Sequence, residues 1–145
     1  MHSRPLPILL IEDNDDDVLM VQEAFATART LRVVDGVKDG EQALAYLRGQ
    51  APFRDAEPPG LILLDLNMPK KDGFAVLRDI KADPSLRRVP VIILSTSSRE
   101  EDIARAYAEG ASSYICKPGE FHQFEELVKQ FERYWTTVSR LPHRD

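Results

Sequence analysis

The chain has 145 residues, of which 43% are hydrophobic and 30% charged, and its formal net charge is −5 at pH 7. This composition predicts one soluble globular domain with a substantial core, and no run is apolar or long enough for a signal peptide or a membrane span. The negative charge argues against a nucleic-acid-binding protein of the basic-patch type. The single cysteine, Cys116, cannot form an internal disulfide, and we interpret it as a small core residue in a reducing cytoplasm.

Short apolar segments that end in polar residues alternate with helical patterns along the chain. The predicted strands are residues 7–11, 31–34, 61–65, 89–95 and 113–117. The first predicted helix has an apolar stripe at Val18, Val21 and Phe25, and the acids at its start suit the positive end of the helix dipole. The other predicted helices cover residues 41–48, 74–81 and 99–109, and the last runs from residue 121 towards 139. Because no hairpin signal separates consecutive strands, we predict an α/β fold with a parallel sheet and helices on both faces. Without a repeat or linker, residues 1–145 are expected to form one domain.

Polar side chains close four of the five predicted strands, and these residues are Glu12 with Asp13, Asp65, Ser95 and Lys117. Because the carboxyl ends of parallel strands lie at one edge of a sheet, the four groups could converge. Three carboxylates with a lysine suit a hard divalent cation bound through oxygen, and Mg²⁺ is the usual occupant of so open a site. Each residue alone is compatible with a solvated strand end or a helix cap. Together they favour a binding site.

The motifs around these residues resemble those of response-regulator receiver domains, the phosphoacceptor half of two-component signalling. The matching segments are residues 10–13, 64–69 with 72–73, 94–96 and 117–118. Asp65 precedes Ser95 by 30 residues and Lys117 by 52, which also fits the family. The resemblance covers nearly the whole chain. It implies a flavodoxin-like, doubly wound sheet of five strands in the order 2-1-3-4-5 with five helices, a core at about 6–139, a short C-terminal tail and no output domain.

The resemblance also assigns a role to each residue of the site. Asp65 would accept a phosphoryl group from the phosphohistidine of a sensor histidine kinase, so the chain would be a signalling protein rather than an enzyme. Asp13, Asp65 and the backbone carbonyl of Asn67 would bind Mg²⁺, and Glu12 would do so directly or through a water. Lys117 would bridge Asp65 and a phosphoryl oxygen.

The same resemblance implies a conformational switch next to the phosphoacceptor. Ser95 and Thr96 are the expected phosphate-binding residues, and the Ser95 hydroxyl would move to a phosphoryl oxygen and draw its loop inward. Tyr114 would follow as a rotamer switch. The Lys117–Pro118 peptide bond would be cis, a form that costs little before proline. Glu12 and Ser95 stand where many members have Asp and Thr, and both keep the required functional group.

A narrower resemblance concerns the loop at residues 50–60, the motif at 94–97 and the ending at 134–142. These segments resemble the small stand-alone regulators that are paired with bacterial and cyanobacterial phytochromes. A bacteriophytochrome-type kinase is therefore the expected phosphoryl donor. The same phosphoacceptor chemistry in a non-light pathway, or as a phosphorelay intermediate, remains an alternative.

Two other protein classes share part of the pattern. A haloacid-dehalogenase-type hydrolase also uses an Asp at a strand end, but it needs a second acid two residues later, where this chain has Asn67, and a nucleophile on the first strand. A flavodoxin-like FMN-binding protein shares the layout, but the acidic residues 12–17 would repel its phosphate. Both readings are disfavoured.

One face of the final predicted helix is apolar throughout, through Phe121, Phe124, Leu127, Val128, Phe131, Trp135 and Val138. A helix from residue 121 to 139 is about 28 Å long, whereas a strand of five or six residues spans only ~17–20 Å. The last turns should therefore extend past the sheet. We predict a homodimer through the C-terminal helix, with Phe131, Trp135, Val138 and Leu141 at its interface. The alternative is a monomer whose tail folds over Trp135.

Overall fold

The computed structural model describes residues 5–66 and 73–134. Its strands are β1 Leu6–Ile11, β2 Leu31–Val37, β3 Leu61–Asp65, β4 Val91–Ser95 and β5 Ser113–Cys116. Its helices are α1 Asp15–Phe25, α2 Gly40–Leu47, α3 Gly73–Ala82, α4 Glu100–Ala108 and α5 Phe121–Arg133. Within these ranges no helix has the length and apolarity needed to cross a membrane.

The aliphatic runs in β1, β3 and β4 form the centre of the sheet because side chains on both faces of these strands are buried. All neighbouring strands are parallel, and the order β2-β1-β3-β4-β5 confirms the predicted doubly wound topology. Strand β2 lies at the edge, as expected, but it continues to Val37. The sequence-based limit at residue 34 was wrong because Asp35 and Gly36 have low strand propensity. Gly36 packs closely against α1, since a β-carbon there would lie 2.9 Å from Val18 Cγ1 and would displace that side chain.

Each face of the sheet carries its own apolar layer. Helices α2 and α3, with Ala106 of α4, cover one face, and α1 and α5 cover the other. In the second layer the rings of Phe25 and Phe131 meet edge to face, with their centroids 6.2 Å apart. Phe131 is only 8% exposed. Its assignment to a dimer interface is therefore wrong, because the side chain is already buried in the chain's own core.

Two expectations about the end of β5 are also corrected. Cys116 is exposed rather than buried. It lies at the end of an edge strand, where a residue in an apolar run is not necessarily covered by neighbouring elements. The Lys117–Pro118 bond is not cis; in the described ranges the cis bond is Ala51–Pro52. Proline lowers the cost of the cis form without imposing it, so the sequence alone does not fix the isomer.

Candidate functional site

The ends of β1 and β3 bring the predicted carboxylates together. Ile11 of β1 pairs with Leu64 of β3, so Glu12 and Asp65 follow on adjacent strands at the same edge. Carboxylate oxygens of Glu12, Asp13 and Asp65 all lie within 4.8 Å of one another. Glu12 and Asp65 are buried, and Asp13 is partly exposed. The cluster is therefore open on the side of Asp13 and closed by the sheet behind it.

Lys117 enters this cluster from the end of β5. Its backbone N–H donates to the Ser95 carbonyl oxygen at 2.7 Å, which holds the start of the β5–α5 loop against β4. The ammonium donates to Glu12 Oε1 at 2.7 Å and to Asp17 Oδ2 at 3.4 Å, and it lies 3.9 Å from Asp65 Oδ1. Only 7% of the Lys117 side chain is exposed. The expected lysine is in place, but its shortest contact is with Glu12 and not with Asp65.

Burial and the neighbouring carboxylates set the charge of the site. Burial, with a further contribution from Asp65, raises the pKa of Glu12 to about 8, and Lys117 offsets part of the rise. Burial opposes the charge on Lys117, but the hydrogen bond to Glu12 and the charges of Asp65, Glu12 and Asp17 outweigh it and raise the pKa of the lysine. The site therefore holds more negative charge than Lys117 neutralises. A buried carboxylate with a raised pKa beside two further carboxylates fits a site for a divalent cation, which would replace the proton.

The chain leaves β3 through a tight contact at the start of α3. Gly73 N–H donates to the Leu66 carbonyl oxygen at 3.2 Å. A β-carbon on Gly73 would lie 2.5 Å from Leu66 Cα and 2.6 Å from the Asp65 carbonyl oxygen, so no other residue fits without a backbone shift. Asn67, the expected carbonyl ligand, lies outside the described residues, and its role stays a prediction.

The expected switch residues converge on a serine that the sequence analysis did not single out. Ser95 is fully buried, and its Oγ accepts a hydrogen bond from Ser97 N–H at 3.1 Å. The Tyr114 hydroxyl donates to the Ser97 carbonyl oxygen at 2.9 Å, and Ser97 Oγ donates to Asp102 Oδ2 at 2.6 Å. Thr96 is exposed. Ser97 thus links the end of β4 to Tyr114 and to α4, and its position just before that helix was the available signal.

Asp17 is the second residue of the site that sequence reasoning missed. We interpreted the acids after residue 13 as a group that suits the positive end of the α1 dipole, and this interpretation did not distinguish Asp17 from its neighbours. In the structure Asp15 pairs with Lys38 at 2.8 Å, whereas Asp17 reaches Lys117. The signal that could have identified it is its position in the first turn of α1, which directly follows the strand end that carries Glu12 and Asp13.

Known proteins with similar sequences and structures share this arrangement of elements. Residues 8–129 match the response regulator receiver domain family. The response regulator Rcp1 of Synechocystis sp. is 38% identical over 138 residues, which cover 95% of this chain and 94% of Rcp1. A crystal structure of Rcp1 in its Mn²⁺-bound form has a TM-score of 0.85 at 37% identity and covers 96% of this chain and 100% of its own.

Two further relatives are named for different biological processes. The phosphorylated cyanobacterial phytochrome response regulator RcpA is 44% identical, with a TM-score of 0.87 and coverage of 96% of this chain and 99% of RcpA. The probable methanogenesis regulatory protein FilR2 of Methanothrix harundinacea is 37% identical over 139 residues, which cover 95% of this chain and 88% of FilR2. Similarity of this degree therefore extends to proteins named for two different processes.

Proposed function

Because the chain belongs to the response regulator receiver domain family, we propose that Asp65 accepts a phosphoryl group from the phosphohistidine of a sensor histidine kinase. One observation carries the proposal. Three carboxylates, from Glu12, Asp13 and Asp65, converge with the buried ammonium of Lys117 at the carboxyl edge of a parallel sheet. Phosphoryl transfer requires mainly positioning and neutralisation of charge, and this arrangement offers both.

The chemistry follows from these groups. An oxygen of Asp65 attacks phosphorus, a P–O bond forms, the P–N bond of phosphohistidine breaks, and the released imidazole takes up a proton. Lys117 then donates to a phosphoryl oxygen, for which its ammonium moves from its present carboxylate partners. The Ser95 hydroxyl donates to another phosphoryl oxygen in place of its contact with Ser97 N–H. That exchange would release Ser97 and, through it, the hydroxyl of Tyr114.

We propose Mg²⁺ as the cation, held by Asp13, Asp65, the carbonyl of Asn67 and Glu12. When bound, it would neutralise charge on the phosphoryl oxygens. The Mn²⁺-bound form of Rcp1 supports a divalent cation in a close relative. Asp13→Ala should weaken Mg²⁺ binding measured by calorimetry, because it removes one of few protein ligands. Asp16→Ala, in the exposed first turn of α1, is the matched control. Equal affinity in wild type and Asp13→Ala would count against the proposed ligand.

The decisive experiment is incubation with acetyl phosphate and Mg²⁺, followed by intact-mass measurement. The wild type should gain one labile phosphoryl group, and Asp65→Asn should gain none while remaining folded. Asp16→Asn serves as a control for removing a carboxylate near the site without removing the phosphoacceptor. If Asp65→Asn is still phosphorylated at the wild-type rate, the assignment is wrong. An FMN-binding protein would gain nothing in any variant.

We propose a phytochrome-type histidine kinase as the partner, in the cytoplasm, where the ATP for its autophosphorylation is available. The 44% identity with RcpA supports this choice. The 37% identity with FilR2 supports the alternative, in which the same chemistry serves a non-light pathway or a phosphorelay. Phosphotransfer profiling against the histidine kinases of the source organism distinguishes the two. Preferential transfer from a photoreceptor kinase supports the first, and transfer only from another kinase or a phosphotransfer protein supports the second.

We also propose a homodimer through the C-terminal helix. Three of its predicted contact residues, Trp135, Val138 and Leu141, lie outside the described residues, and Phe131 is excluded because it packs in the core. Exposed Tyr134 at the end of α5 is consistent with a contact surface that begins just past the sheet. Sedimentation of wild type and Trp135→Ala at micromolar concentration tests the dimer. A wild type that stays monomeric with and without phosphorylation would rule it out.

A further inference from the structure

The ammonium of Lys117 donates hydrogen bonds to two other carboxylates and not to Asp65, the proposed phosphoacceptor. A lysine ammonium has three N–H donors. Glu12 and Asp17 accept hydrogen bonds from it at 2.7 and 3.4 Å, while Asp65 Oδ1, at 3.9 Å, lies beyond hydrogen-bonding distance. Phosphorylation of Asp65 requires this ammonium to turn towards a phosphoryl oxygen. The two present contacts therefore oppose the movement that the reaction needs.

The contact with Asp17 is built into the start of α1. Asn14 caps the helix, with its side-chain oxygen accepting a hydrogen bond from Asp17 N–H at 3.0 Å. The Asn14 carbonyl oxygen also accepts from Val18 N–H at 2.9 Å. These bonds fix the first turn so that the Asp17 carboxylate faces Lys117. Because the Asp17 side chain is 39% exposed and Glu12 is only 1% exposed, Asp17 is the partner that the lysine can exchange at lower cost.

We propose that Asp17 is a positioning residue that restrains phosphoryl acceptance by competing with the phosphoryl group for Lys117. The inference rests on the proposed function, since it concerns the rate and stability of phosphorylation at Asp65. The Asp17 carboxylate holds one donor of the ammonium, and its charge repels the oxygens of the incoming phosphoryl group. Removing the charge while keeping the shape of the side chain should free the lysine and favour the phosphorylated state.

The test compares Asp17→Asn, Asp17→Glu and Asp16→Asn with wild type at saturating Mg²⁺. Asp16→Asn removes the same charge from the same exposed turn, but Asp16 is not one of the residues bonded to Lys117. Two quantities are measured: the initial rate of phosphorylation by acetyl phosphate, and the dissociation constant of beryllofluoride, a phosphoryl mimic. Asp17→Asn should raise the rate and tighten beryllofluoride binding roughly two- to fivefold, as expected for loss of one partly exposed ion pair. Asp17→Glu, which keeps the carboxylate, and Asp16→Asn should stay near wild type.

The outcomes separate this inference from the proposed function. If wild type takes up no phosphoryl group, the proposed function itself fails. If wild type is phosphorylated and Asp17→Asn is unchanged or slower, or binds beryllofluoride no more tightly, only the role of Asp17 is overturned. An equal gain in Asp16→Asn would mean that general charge, and not the contact with Lys117, limits the reaction, and this result also overturns the proposal. Circular dichroism of each variant confirms that the rates compare folded proteins.

Discussion

The apolar layer under α1 and α5 and the charged edge of the sheet are supplied by the same strands. Leu10 of β1 and Leu63 of β3 point into the layer, and two residues later on each strand Glu12 and Asp65 lie at the edge. Both regions are buried, but burial has opposite consequences in them. Removing apolar surface from water stabilises the fold, whereas removing carboxylates from water costs free energy unless they are paired. The charged edge therefore lowers the free energy of unfolding of this domain, and the apolar layer raises it.

The two regions also differ in the hydrogen-bond donors and charged neighbours of their carboxylates. On the α5 side, Glu132 accepts hydrogen bonds from Arg29 N–H at 2.9 Å and from Thr30 N–H and Oγ1, both at 2.6 Å. These donors tie α5 to the turn between α1 and β2. At the charged edge, Glu12 has one strong cationic partner, Lys117, and a neighbouring carboxylate that opposes its charge. Glu132 should therefore stabilise the fold when ionised, and Glu12 should do so when protonated.

The largest effect is expected in the apolar layer. Phe131→Ala should lower the free energy of unfolding by about 3–5 kcal/mol, because it leaves a cavity against Phe25. Urea unfolding followed by circular dichroism measures the change. Phe121→Ala, the same substitution at a 39%-exposed position of the same helix, should cost no more than about 1 kcal/mol. Equal losses in the two variants would show that the α5 contact in the core is not as described.

The second prediction uses pH to expose the cost of the charged edge. The pKa of Glu12 is about 8 in the folded protein against an ordinary value of 4.5, so the folded state binds more protons than the unfolded state between these values. The free energy of unfolding of the metal-free protein should fall as pH rises through this window, by an amount on the order of 2 kcal/mol. Glu12→Gln, which stays neutral, should flatten the curve in EDTA. A wild-type curve that rises between pH 5 and 8 would contradict the burial of Glu12.

The third prediction concerns Glu132, for which the sign of the pH dependence is reversed. Burial alone would raise its pKa, but the hydrogen bonds from Thr30 and Arg29 outweigh that effect and lower the pKa. Its stabilisation should be present above the ordinary pKa of 4.5 and lost as pH falls below it. Glu132→Gln should cost about 1–2 kcal/mol at neutral pH. Glu126→Gln, which breaks only an exposed contact with Lys129, should cost less than about 0.5 kcal/mol in the same unfolding assay.

The scaffold was more predictable from sequence than the site. Four aliphatics in a row at residues 61–64 indicate a strand buried on both faces whatever the surroundings. The end of β2 was not predictable in this way, because Gly36 packs closely against Val18 of α1, and this tertiary contact is not visible in the local sequence. The exposure of Cys116 was missed for a similar reason, since burial at a strand end depends on which helices cover it.

For the site, the sequence predicted which groups meet but not how they bond. The strand ends identified Glu12, Asp65 and Lys117, since parallel topology alone brings them to one edge. The preference of the lysine for Glu12 over Asp65 is a difference between 2.7 and 3.9 Å, which depends on side-chain placement rather than on chain order. The hydrogen bond from the Tyr114 hydroxyl to the Ser97 carbonyl oxygen was also not predictable. Every residue has a backbone carbonyl, so the sequence does not indicate which one will accept the bond.

The smallest effect is also the most direct test of the contrast between the two regions. Asp65→Asn removes one of three clustered carboxylates at nearly constant volume and should raise the free energy of unfolding of the metal-free protein by a fraction of a kcal/mol to about 1 kcal/mol. The gain is small because Lys117 loses an ion-pair partner when the charge is removed. Saturating Mg²⁺ should reverse the order, since the cation stabilises the wild type through a ligand that the variant lacks. Urea unfolding of both proteins in EDTA and in Mg²⁺ measures this crossover, and a variant that is less stable under both conditions would show that Asp65 contributes to the fold as the apolar layer does.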